Sequence, residues 1–530
     1  MKTANILAYD IGTTGVKTCL FAVDDTIRLL AFDSAGYGLY TQADGGAEQV
    51  FDEWWAALIK TTRSVMQDNN VKVDGISFCS QMQGLVLAGE DGLPVRNPMS
   101  YMDQRARKQL KDGMAFGLQV AGANLPRLLK SLKYTGAVAV SVKDPVWKYK
   151  WVEENEPQSF AKAKKWLDVK ESLIAKMTGE FVMTRDSAFA TLLYDIHKGE
   201  WCEPVCKMLG VKPEHLPPII ESAQQAGGLL PQAAQELGLE PGIPVFGGGG
   251  DASLIPVGAG ACAQGDTHVY SGTSGWVSTV VTKSIVDTSA MIAAVVGAQN
   301  GLYNYFGELE TAGKCLEWVK DHLALDEIGI YLQKQHVADG FESKYTSLYE
   351  YLSEIIDSTP AGSGGVIFTP WLHGNRCPFE DPNSRGMFFN ISLATGKTQL
   401  IRAVVEGVCY HLRWFLEVSS KKVAPSESLR FVGGGALSDV TCQILADVTG
   451  KVVETVDNPQ NAGAVGAAAV AAVGLGLLPD LEATKALIPA VKSFTPNAEN
   501  AAVHAKNFEV FKKLYKANKS LFAALNGDAT

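Results

Sequence analysis

The sequence predicts an α/β protein built from two lobes of similar architecture. An apolar run precedes a Gly-Thr-Thr-Gly turn and residues 16–21 alternate after it, so 5–35 predicts a strand, a turn and further strands. The stretch 268–280, "HVYSGTSGWVSTV", repeats that design about half a chain later. Helical and strand patterns follow each of these stretches, as in α/β folds. We place the lobe boundary at a Pro/Gly-rich approach, which gives lobes of residues 1–246 and 247–530.

The remaining elements follow from local patterns. In the first lobe, 73–95 predicts a strand, a loop and a hairpin that turns at Asp91-Gly92. In the second lobe, 429–456 predicts a strand, a glycine turn, a helix that begins near Ser438 and another strand. Helices are further predicted at 52–67 with Asp52 as N-cap, at 145–165 and 168–177, at 462–476 with Asn461 as N-cap, and at 502–524.

Composition restricts the class of protein. Apolar residues make up 46% and charged residues 20% of the 530 positions, a balance typical of globular proteins. The net charge of −10 argues against a nucleic-acid surface, which needs a clustered basic face. Nine scattered cysteines without a zinc pattern predict reduced thiols and a cytoplasmic protein. Met1-Lys2 leads into a strand without the apolar region of a signal peptide, so we expect no secretion signal.

One uncharged segment, 462–479, has about the length of a membrane span. It consists mostly of Ala and Gly, and Asp457 and Asp480 flank it instead of Lys or Arg. We therefore predict a tightly packed internal helix and no membrane partner. The oligomeric state stays open, with a homodimer among the alternatives.

The first of three glycine-rich turns is Gly12-Thr13-Thr14-Gly15, directly after the apolar strand that contains Asp10. Small residues in a tight turn expose backbone N–H groups and hydroxyls, which cradle phosphate. An acid in an apolar strand needs a partner, and Mg²⁺, bound directly or through water, would supply one. The alternative is an ordinary hairpin with a solvated aspartate.

The second turn, Gly247–Gly250, leads into Asp251, which either caps the next helix or serves as a general base in a cleft between the lobes. The third, Gly433–Ala436, lacks the third glycine of a dinucleotide fingerprint. The run Gly396-Lys397-Thr398 lacks the upstream glycine of a phosphate-binding P-loop. A flat glycine surface for an adenosine is the remaining functional reading of the third turn.

Taken together, these motifs resemble the FGGY carbohydrate kinases over nearly the whole chain, and xylulose kinases most of all. The segment 385–408 is similar to the family's C-terminal signature, with Gly386 and Glu406 in place and Asn390 where the pattern has glycine. We expect that departure to affect a turn. The resemblance implies two ribonuclease-H/actin-like lobes with an ATP and sugar cleft between them.

The resemblance also implies roles for individual residues. Asp251 takes the place of the base that receives the sugar hydroxyl's proton, and Asp10 that of the acid near Mg²⁺ and the phosphates. Positions that match ATP and phosphate contacts are Gly12, Thr13, Thr14, Lys17, Gly272, Thr273, Gly313, Gly434, Gly435, Ala436 and Asp439. Positions implied at the sugar are Gln81, Met82, Gln83, Asp103, Arg105 and Asp251. The implied cofactors are ATP and Mg²⁺.

The substrate turn departs from its closest family pattern. Xylulose kinases usually have Met-His where this chain has Met82-Gln83, and glycerol kinases have Arg-Glu. Gln83 donates and accepts hydrogen bonds but carries no charge. We expect conversion of D-xylulose to D-xylulose 5-phosphate, with ribulose, fuculose, erythritol and gluconate as alternative substrates. Asp103 and Arg105 either line the pocket or form a surface ion pair.

Two other classes of function compete with a sugar kinase. A chaperone-like ATPase would need a β-rich peptide-binding region and a helical lid, for which we see no room after residue 480. A sugar-binding regulator without chemistry would carry a helix-turn-helix before the nucleotide lobe, but strand patterns begin at residue 4. Both acids expected in a kinase, Asp10 and Asp251, are present.

Overall fold

The first lobe is organised around a mixed sheet. The structure is a computed structural model that describes residues 3–69, 71–120, 122–323 and 348–527. The strands of this sheet are β1 (Ala4–Ile11), β2 (Gly15–Val23), β3 (Ile27–Gly36), β4 (Gly75–Ser80), β5 (Gln225–Gly228), β6 (Pro244–Phe246) and β7 (Gly249–Gly250). They lie in the order β5–β6–β4–β1–β2–β3, and β7 also pairs with β4. The predicted opening hairpins are confirmed, and β4 runs parallel to β1, β6 and β7.

Helices cover this sheet and build an added layer beside it. They are α1 (Phe51–Gln67), α2 (Arg107–Gly113), α3 (Leu125–Thr135), α4 (Pro145–Asn155), α5 (Pro157–Lys162), α6 (Val169–Thr178), α7 (Arg185–Ala190), α8 (Glu203–Leu209), α9 (Pro231–Leu237) and α10 (Asp251–Gly258). Short paired strands connect them at Tyr40–Thr41 and Ala47–Glu48, Val86–Ala88 and Lys165–Leu167, Gln119–Val120 and Ala123–Asn124, Met183–Thr184 and Ile219–Ile220, and Tyr194–Asp195 and Glu200–Trp201. The hairpin predicted at Asp91-Gly92 is confirmed by the Val95 N–H, which donates to the Leu87 carbonyl.

Two predicted helix boundaries in this lobe are wrong. Helix α1 begins at Phe51 after Val50, so Asp52 lies inside the first turn. There its negative charge interacts favourably with the helix dipole, but it does not cap the helix. The helix predicted over 145–165 is interrupted at Glu156, because Pro157 disfavours a helical residue before it.

The second lobe repeats the architecture of the first. Its sheet contains β8 (Thr267–Ser271), β9 (Gly275–Val281), β10 (Val286–Asp287), β11 (Ile292–Val296), β12 (Tyr303–Leu309), β13 (Ser428–Val432), β14 (Val452–Thr455) and β15 (Lys492–Phe494), in the order β10–β11–β12–β9–β8–β13–β14–β15. Its helices are α11 (Gly313–His322), α12 (Leu348–Ser358), α13 (Lys397–Ser419), α14 (Asp439–Thr449), α15 (Ala462–Gly474) and α16 (Ala498–Asn526). A short strand pair joins Ile367–Phe368 to Phe388–Phe389. The hairpin predicted at 268–280 and the order predicted for 429–456 are confirmed.

Helix α15 joins the lobes. Its residues from Ala462 to Ala472 are buried, and it packs on α10 and on β1 and β4 of the first sheet. The core around it combines first-lobe residues such as Phe21 with second-lobe residues such as Val432. The internal helix predicted from its Ala/Gly composition is therefore confirmed, although the Asn461 side chain makes no capping hydrogen bond.

Several further predictions from the sequence can be compared with the structure. Across the described ranges, every helix is too short or too polar to cross a membrane. The nine cysteines are free and buried. In α16, Phe508, Phe511, Leu514 and Phe522 are buried in the core, whereas Leu521 is exposed. Asn390 has a φ of 69°, which agrees with a turn position that glycine also fills. β7 pairs with β4 of the first sheet although it lies beyond the predicted lobe boundary between residues 246 and 247, and that boundary stays a prediction.

Candidate active site

Three of the predicted site segments follow three neighbouring strands of the first sheet. In the ladder of parallel strands, Asp10 of β1 lies beside Cys79 of β4, which lies beside Gly249 of β7. The Gly12 turn, the turn at 81–84 and Asp251 therefore leave the sheet at the same edge. Ligands of open α/β sheets bind outside the carboxyl ends of the strands, so this edge is the candidate site.

Asp10 has a protein cation beside it. Its Oδ2 lies 3.9 Å from Nζ of Lys17, the residue opposite it on β2, and that Nζ also donates to the Gln460 carbonyl at 3.0 Å. Burial raises the pKa of Asp10, while Lys17 and a hydrogen bond from Cys79 oppose the rise. About a fifth of the Asp10 side chain remains exposed. The carboxylate is therefore held by the sheet but is open to a ligand.

The Gly12 turn is fixed by hydrogen bonds to its backbone and leaves Thr14 exposed. The Gly12 N–H closes the hairpin on the Gly15 carbonyl at 2.9 Å, and Gln49 Nε2 donates to the Thr13 carbonyl at 2.6 Å. Thr14 is exposed, and the Thr13 hydroxyl lies 3.5 Å from that of Tyr101. The turn thus presents small polar groups at the edge of the sheet.

Asp251 is the first residue of α10, directly after β7. Its Oδ1 accepts from its neighbour's N–H, that of Ala252, at 2.7 Å. The preceding Gly250 N–H donates to Oδ2 of the buried Asp186 at 2.7 Å, which fixes the strand that carries Asp251. Burial, with smaller contributions from Glu308, Asp10 and Asp168, raises the pKa of Asp251 to about 7. A carboxyl group with such a pKa accepts a proton readily at neutral pH.

The turn at 81–84 lies against the strand that precedes Asp251. The Gln81 N–H donates to the Ile11 carbonyl at 2.8 Å, and its side chain donates to Gln49 Oε1 at 3.0 Å. Met82 packs on Gly250 so closely that a Cβ there would lie 2.1 Å from the Met82 sulfur. Gln83 has a φ of 63°, a left-handed conformation that is uncommon without glycine.

Asp103 and Arg105 form a buried ion pair, and the surface pair considered above is wrong in that respect. Arg105 donates to Asp103 at 2.7 Å and to Glu48 at 2.6 Å, and its guanidinium lies over the ring of Trp151. Asp103 is fully enclosed and also accepts from the Ala47 N–H at 2.8 Å. Arg105 and both Asp103 oxygens bond to protein groups, which supports the neighbouring turns, and the role expected for the two residues at the sugar stays a prediction.

The second lobe presents its predicted turns at one edge as well. Strands β8, β12 and β13 run in the same direction, and each leads into a predicted segment. The Gly313 N–H donates to the Gly272 carbonyl at 2.7 Å, and a Cβ on Gly313 would lie 2.4 Å from that oxygen. The Ala312 N–H donates to the carbonyl of Thr273, which is itself exposed. The start of α11 is thus locked to the Gly272 turn.

The third glycine turn follows β13 and forms a short 3-10 helix over Gly434–Leu437. Gly434 is exposed, with no atom near a Cβ placed there, and Ala436 is buried beneath it. Asp439 begins α14 in an exposed position and forms an ion pair with Lys492 at 2.7 Å. Gly434 and Asp439 are thus open to solvent beside the Gly272 turn.

Sequence reasoning missed several residues of the site. Asp168 and Lys148 bind the backbone of the substrate turn, and Asp186 binds Gly250. Glu308, at the end of β12, adds negative charge near Asp251 and accepts from Arg376 at 2.7 Å. Asp168, the first residue of the helix predicted at 168–177, was recognisable as a potential N-cap, but nothing local in the sequence indicates the partners of the others.

Comparison with known proteins decides the family. The profile of the FGGY family of carbohydrate kinases, N-terminal domain, matches residues 5–258, and that of the C-terminal domain matches residues 268–475.

The chain belongs to the FGGY family of carbohydrate kinases.

It is accordingly a phosphotransferase that acts on a sugar, and the predicted family and enzyme class are confirmed. Kinases of this family use ATP as phosphate donor.

Named relatives carry two substrates in their names. The chain is 28% identical to the xylulose kinase of Bacillus subtilis over 481 residues, 90% of this chain and 89% of that protein. It is 28% identical to the gluconokinase of Bacillus licheniformis over 84% of this chain and 83% of that protein. It is 30% identical to the xylulose kinase of Lactococcus lactis over 91% and 90% of the two chains.

Solved structures confirm the predicted fold. Xylulose kinase from Lactobacillus acidophilus superposes with a TM-score of 0.83 at 24% identity, covering 98% of this chain and all of that one. Glycerol kinase from Plasmodium falciparum, solved with ADP, superposes with a TM-score of 0.78 at 19% identity, covering 97% and 98%. The protein therefore has the two-lobe, actin-like fold of sugar kinases, with a cleft between the lobes.

Proposed function

We propose that this protein transfers the γ-phosphate of ATP to a hydroxyl of a neutral ketose, D-xylulose in the first place, with Asp251 as general base. The observation that carries the proposal is the position of Asp251. It lies at the shared edge of β1, β4 and β7, beside the turn at 81–84, and its pKa is raised to about 7.

The chemistry follows from that position. The sugar hydroxyl donates a hydrogen bond to the Asp251 carboxylate while its oxygen faces the γ-phosphorus. The bond from that oxygen to phosphorus forms as the bond to the β,γ-bridging oxygen breaks, and the hydroxyl proton moves to Asp251. Because phosphoryl transfer passes through a loose transition state, the base orients the hydroxyl and accepts its proton late.

ATP would bind along the facing edges of the two lobes. The Gly12 turn with Thr13 and Thr14, and the Gly272 turn with Thr273, offer backbone N–H groups and hydroxyls to its phosphates. The adenosine would lie on Gly434–Ala436 and near Gly313. Lys17 adds positive charge beside the first turn.

Asp10 is suited to hold Mg²⁺, directly or through water. Mg²⁺ usually takes one or two carboxylates, phosphate oxygens and several waters, and no group of three acidic, His or Cys side chains within the described ranges forms an all-protein metal site. The partly exposed Asp10 beside the Gly12 turn fits that requirement. The bound ion would neutralise charge on the phosphates.

The charge around Asp251 favours a neutral sugar over a sugar acid. Glu308, Asp10 and Asp168 each raise the pKa of Asp251, which places this carboxyl in a negative potential. Glu308 is paired with Arg376 at 2.7 Å, and Lys143 also opposes the rise of its pKa. Gln83 in the substrate turn is uncharged. A sugar acid would add a further negative charge to this neighbourhood, which is our reason for placing D-xylulose before gluconate.

Substitution of the proposed base tests the catalytic assignment. Asp251→Asn should bind Mg·ADP as the wild type does and lose phosphorylation by about 10²-fold or more, the usual contribution of a general base. Calorimetric titration with Mg·ADP serves as the control for an intact nucleotide site. Near-normal turnover by Asp251→Asn would refute the assignment.

The residue that departs from the xylulose kinase pattern gives a test of the substrate. Gln83→His should retain or raise turnover of D-xylulose and lower that of any other sugar used by the wild type. Initial rates with D-xylulose, ribulose, fuculose, erythritol and gluconate compare the two proteins. An unchanged profile with every sugar would place the specificity elsewhere.

A further inference from the structure

Two buried charged side chains bind a single residue of the substrate turn. The Gln83 N–H donates to Asp168 Oδ2 at 2.9 Å, and the Gln83 carbonyl accepts from Lys148 Nζ at 2.7 Å. The Gly84 N–H donates to Asp168 Oδ1, also at 2.9 Å. Asp168 is 4% exposed, and Lys148 is fully buried. The turn is thus held on both its donor and its acceptor side.

The residue bound in this way is the one with unusual backbone geometry. Gln83 has a φ of 63°, which is unfavourable for a residue with a Cβ and persists only where its surroundings enforce it. Hydrogen bonds to charged groups are among the strongest in proteins, and loss of a buried partner leaves an unsatisfied group. Lys148 and Asp168 therefore have the geometry and the strength to impose this conformation.

Lys148 and Asp168, which together form a clamp on Gln83, belong to elements outside the turn. Lys148 lies on α4, and Asp168 is the N-cap of α6, where its Oδ1 also accepts from the Val169 N–H at 2.8 Å. On the other side, Met82 of the same turn contacts Gly250, the residue before Asp251. Helices α4 and α6 thereby set the position of the turn relative to Asp251.

We propose that Lys148 and Asp168 are positioning residues for the sugar: they hold residue 83 in its left-handed conformation and so fix the substrate turn at a set distance from Asp251. This inference rests on the proposed function of the turn as part of the sugar site. A purely structural role is the alternative, because Lys148 also faces the acids Asp103, Asp144 and Asp168.

Two variants remove one hydrogen bond each. Lys148→Met keeps an unbranched side chain as far as Cε and removes the Nζ donor to the Gln83 carbonyl. Asp168→Asn retains an acceptor for Gly84 and Val169 but turns an NH₂ donor toward the Gln83 N–H. Lys150→Met is the matched control, since Lys150 lies on the same helix, is partly exposed and pairs with Glu153.

Steady-state kinetics measures KM separately for Mg·ATP and for the sugar that the wild type uses best. Both variants should raise the sugar KM about tenfold or more, the usual effect of losing a charged hydrogen bond. The KM for ATP should stay within about twofold, as expected for a change in sugar binding alone. Lys150→Met should match the wild type. An equal rise in both KM values would overturn the proposal.

A double-mutant cycle with Gln83→Gly separates positioning from a general structural role. Glycine adopts a positive φ freely, so Lys148→Met should raise the sugar KM less than about threefold in that background. If the double variant raised the sugar KM by the product of the two single-variant factors, the proposal would be overturned. If Lys148→Met does not fold, as judged by circular dichroism, Asp168→Asn carries the same cycle.

The outcomes also separate this inference from the proposed function. An unchanged sugar KM in Gln83→Gly would refute the role of residue 83 in the sugar site, and the positioning role of Lys148 and Asp168 with it. A raised sugar KM in Gln83→Gly, together with wild-type values in Lys148→Met and Asp168→Asn, would refute only the positioning role of Lys148 and Asp168.

Discussion

Asp251 should stabilise the fold less than a neutral residue in its place. Its pKa rises from 3.8 to about 7, chiefly through burial. A raised carboxyl pKa means that the ionised form is disfavoured in the folded protein, so this cost is absent at pH below 4, grows as the pH rises and is complete above pH 7. Each unit by which the pKa rises corresponds to about 1.36 kcal/mol, so the cost to the free energy of unfolding is at most about 4 kcal/mol.

Asp251→Asn mimics the protonated acid and should remove that cost. Solvent contact of the half-buried side chain reduces the expected gain in unfolding free energy to about 1–3 kcal/mol. For a lobe of this size the gain corresponds to a rise in Tm of about 3–10 °C at pH 8. Scanning calorimetry at pH 8 and pH 4 measures it, with a negligible difference expected at pH 4. An unchanged or lower Tm at pH 8 would refute the reasoning.

Three further predictions follow from the geometry of the site. The kcat/KM for the sugar should fall about tenfold per pH unit below pH 7, because Asp251 must be ionised to accept a proton; a rate that is flat down to pH 5 would contradict this. Gly250→Ala should raise the sugar KM about tenfold or more through displacement of Met82, with the ATP KM as internal control. Gly313→Ala should do the reverse, raising the ATP KM by a similar factor through its clash with the Gly272 carbonyl, and titration with Mg·ADP measures the effect directly.

Local patterns were sufficient to predict the edges that carry the site. Strands β1 and β2 with the Gly12 turn, and the matching hairpin at Gly272, were predicted because two-residue periodicity and Gly-Thr turns are short-range signals. The position of Asp251 after a strand followed in the same way. The break at Pro157 was missed although proline marks it, since the helical pattern of α4 continues across it.

The supports of the site were not predictable from local patterns. Lys148 contacts a residue 65 positions away, and Asp168 contacts one 84 positions away. A lysine in a helical pattern predicts an exposed position, because burial of its charge is unfavourable without partners. Only the folded arrangement of α4 against the substrate turn supplies those partners. The burial of Arg105 was unpredictable for the same reason, since its partner Glu48 is distant in sequence.

The central claim is that this family member phosphorylates a neutral ketose in the cleft at Asp251. The most direct measurement is sugar-dependent ADP formation with Mg·ATP, comparing kcat/KM for D-xylulose and D-gluconate in the wild type and in Asp251→Asn. We predict saturable activity with D-xylulose, about tenfold or more above that with gluconate because of the negative charge at the site, and its loss in Asp251→Asn. A preference for gluconate, or full activity without the Asp251 carboxylate, would contradict the account.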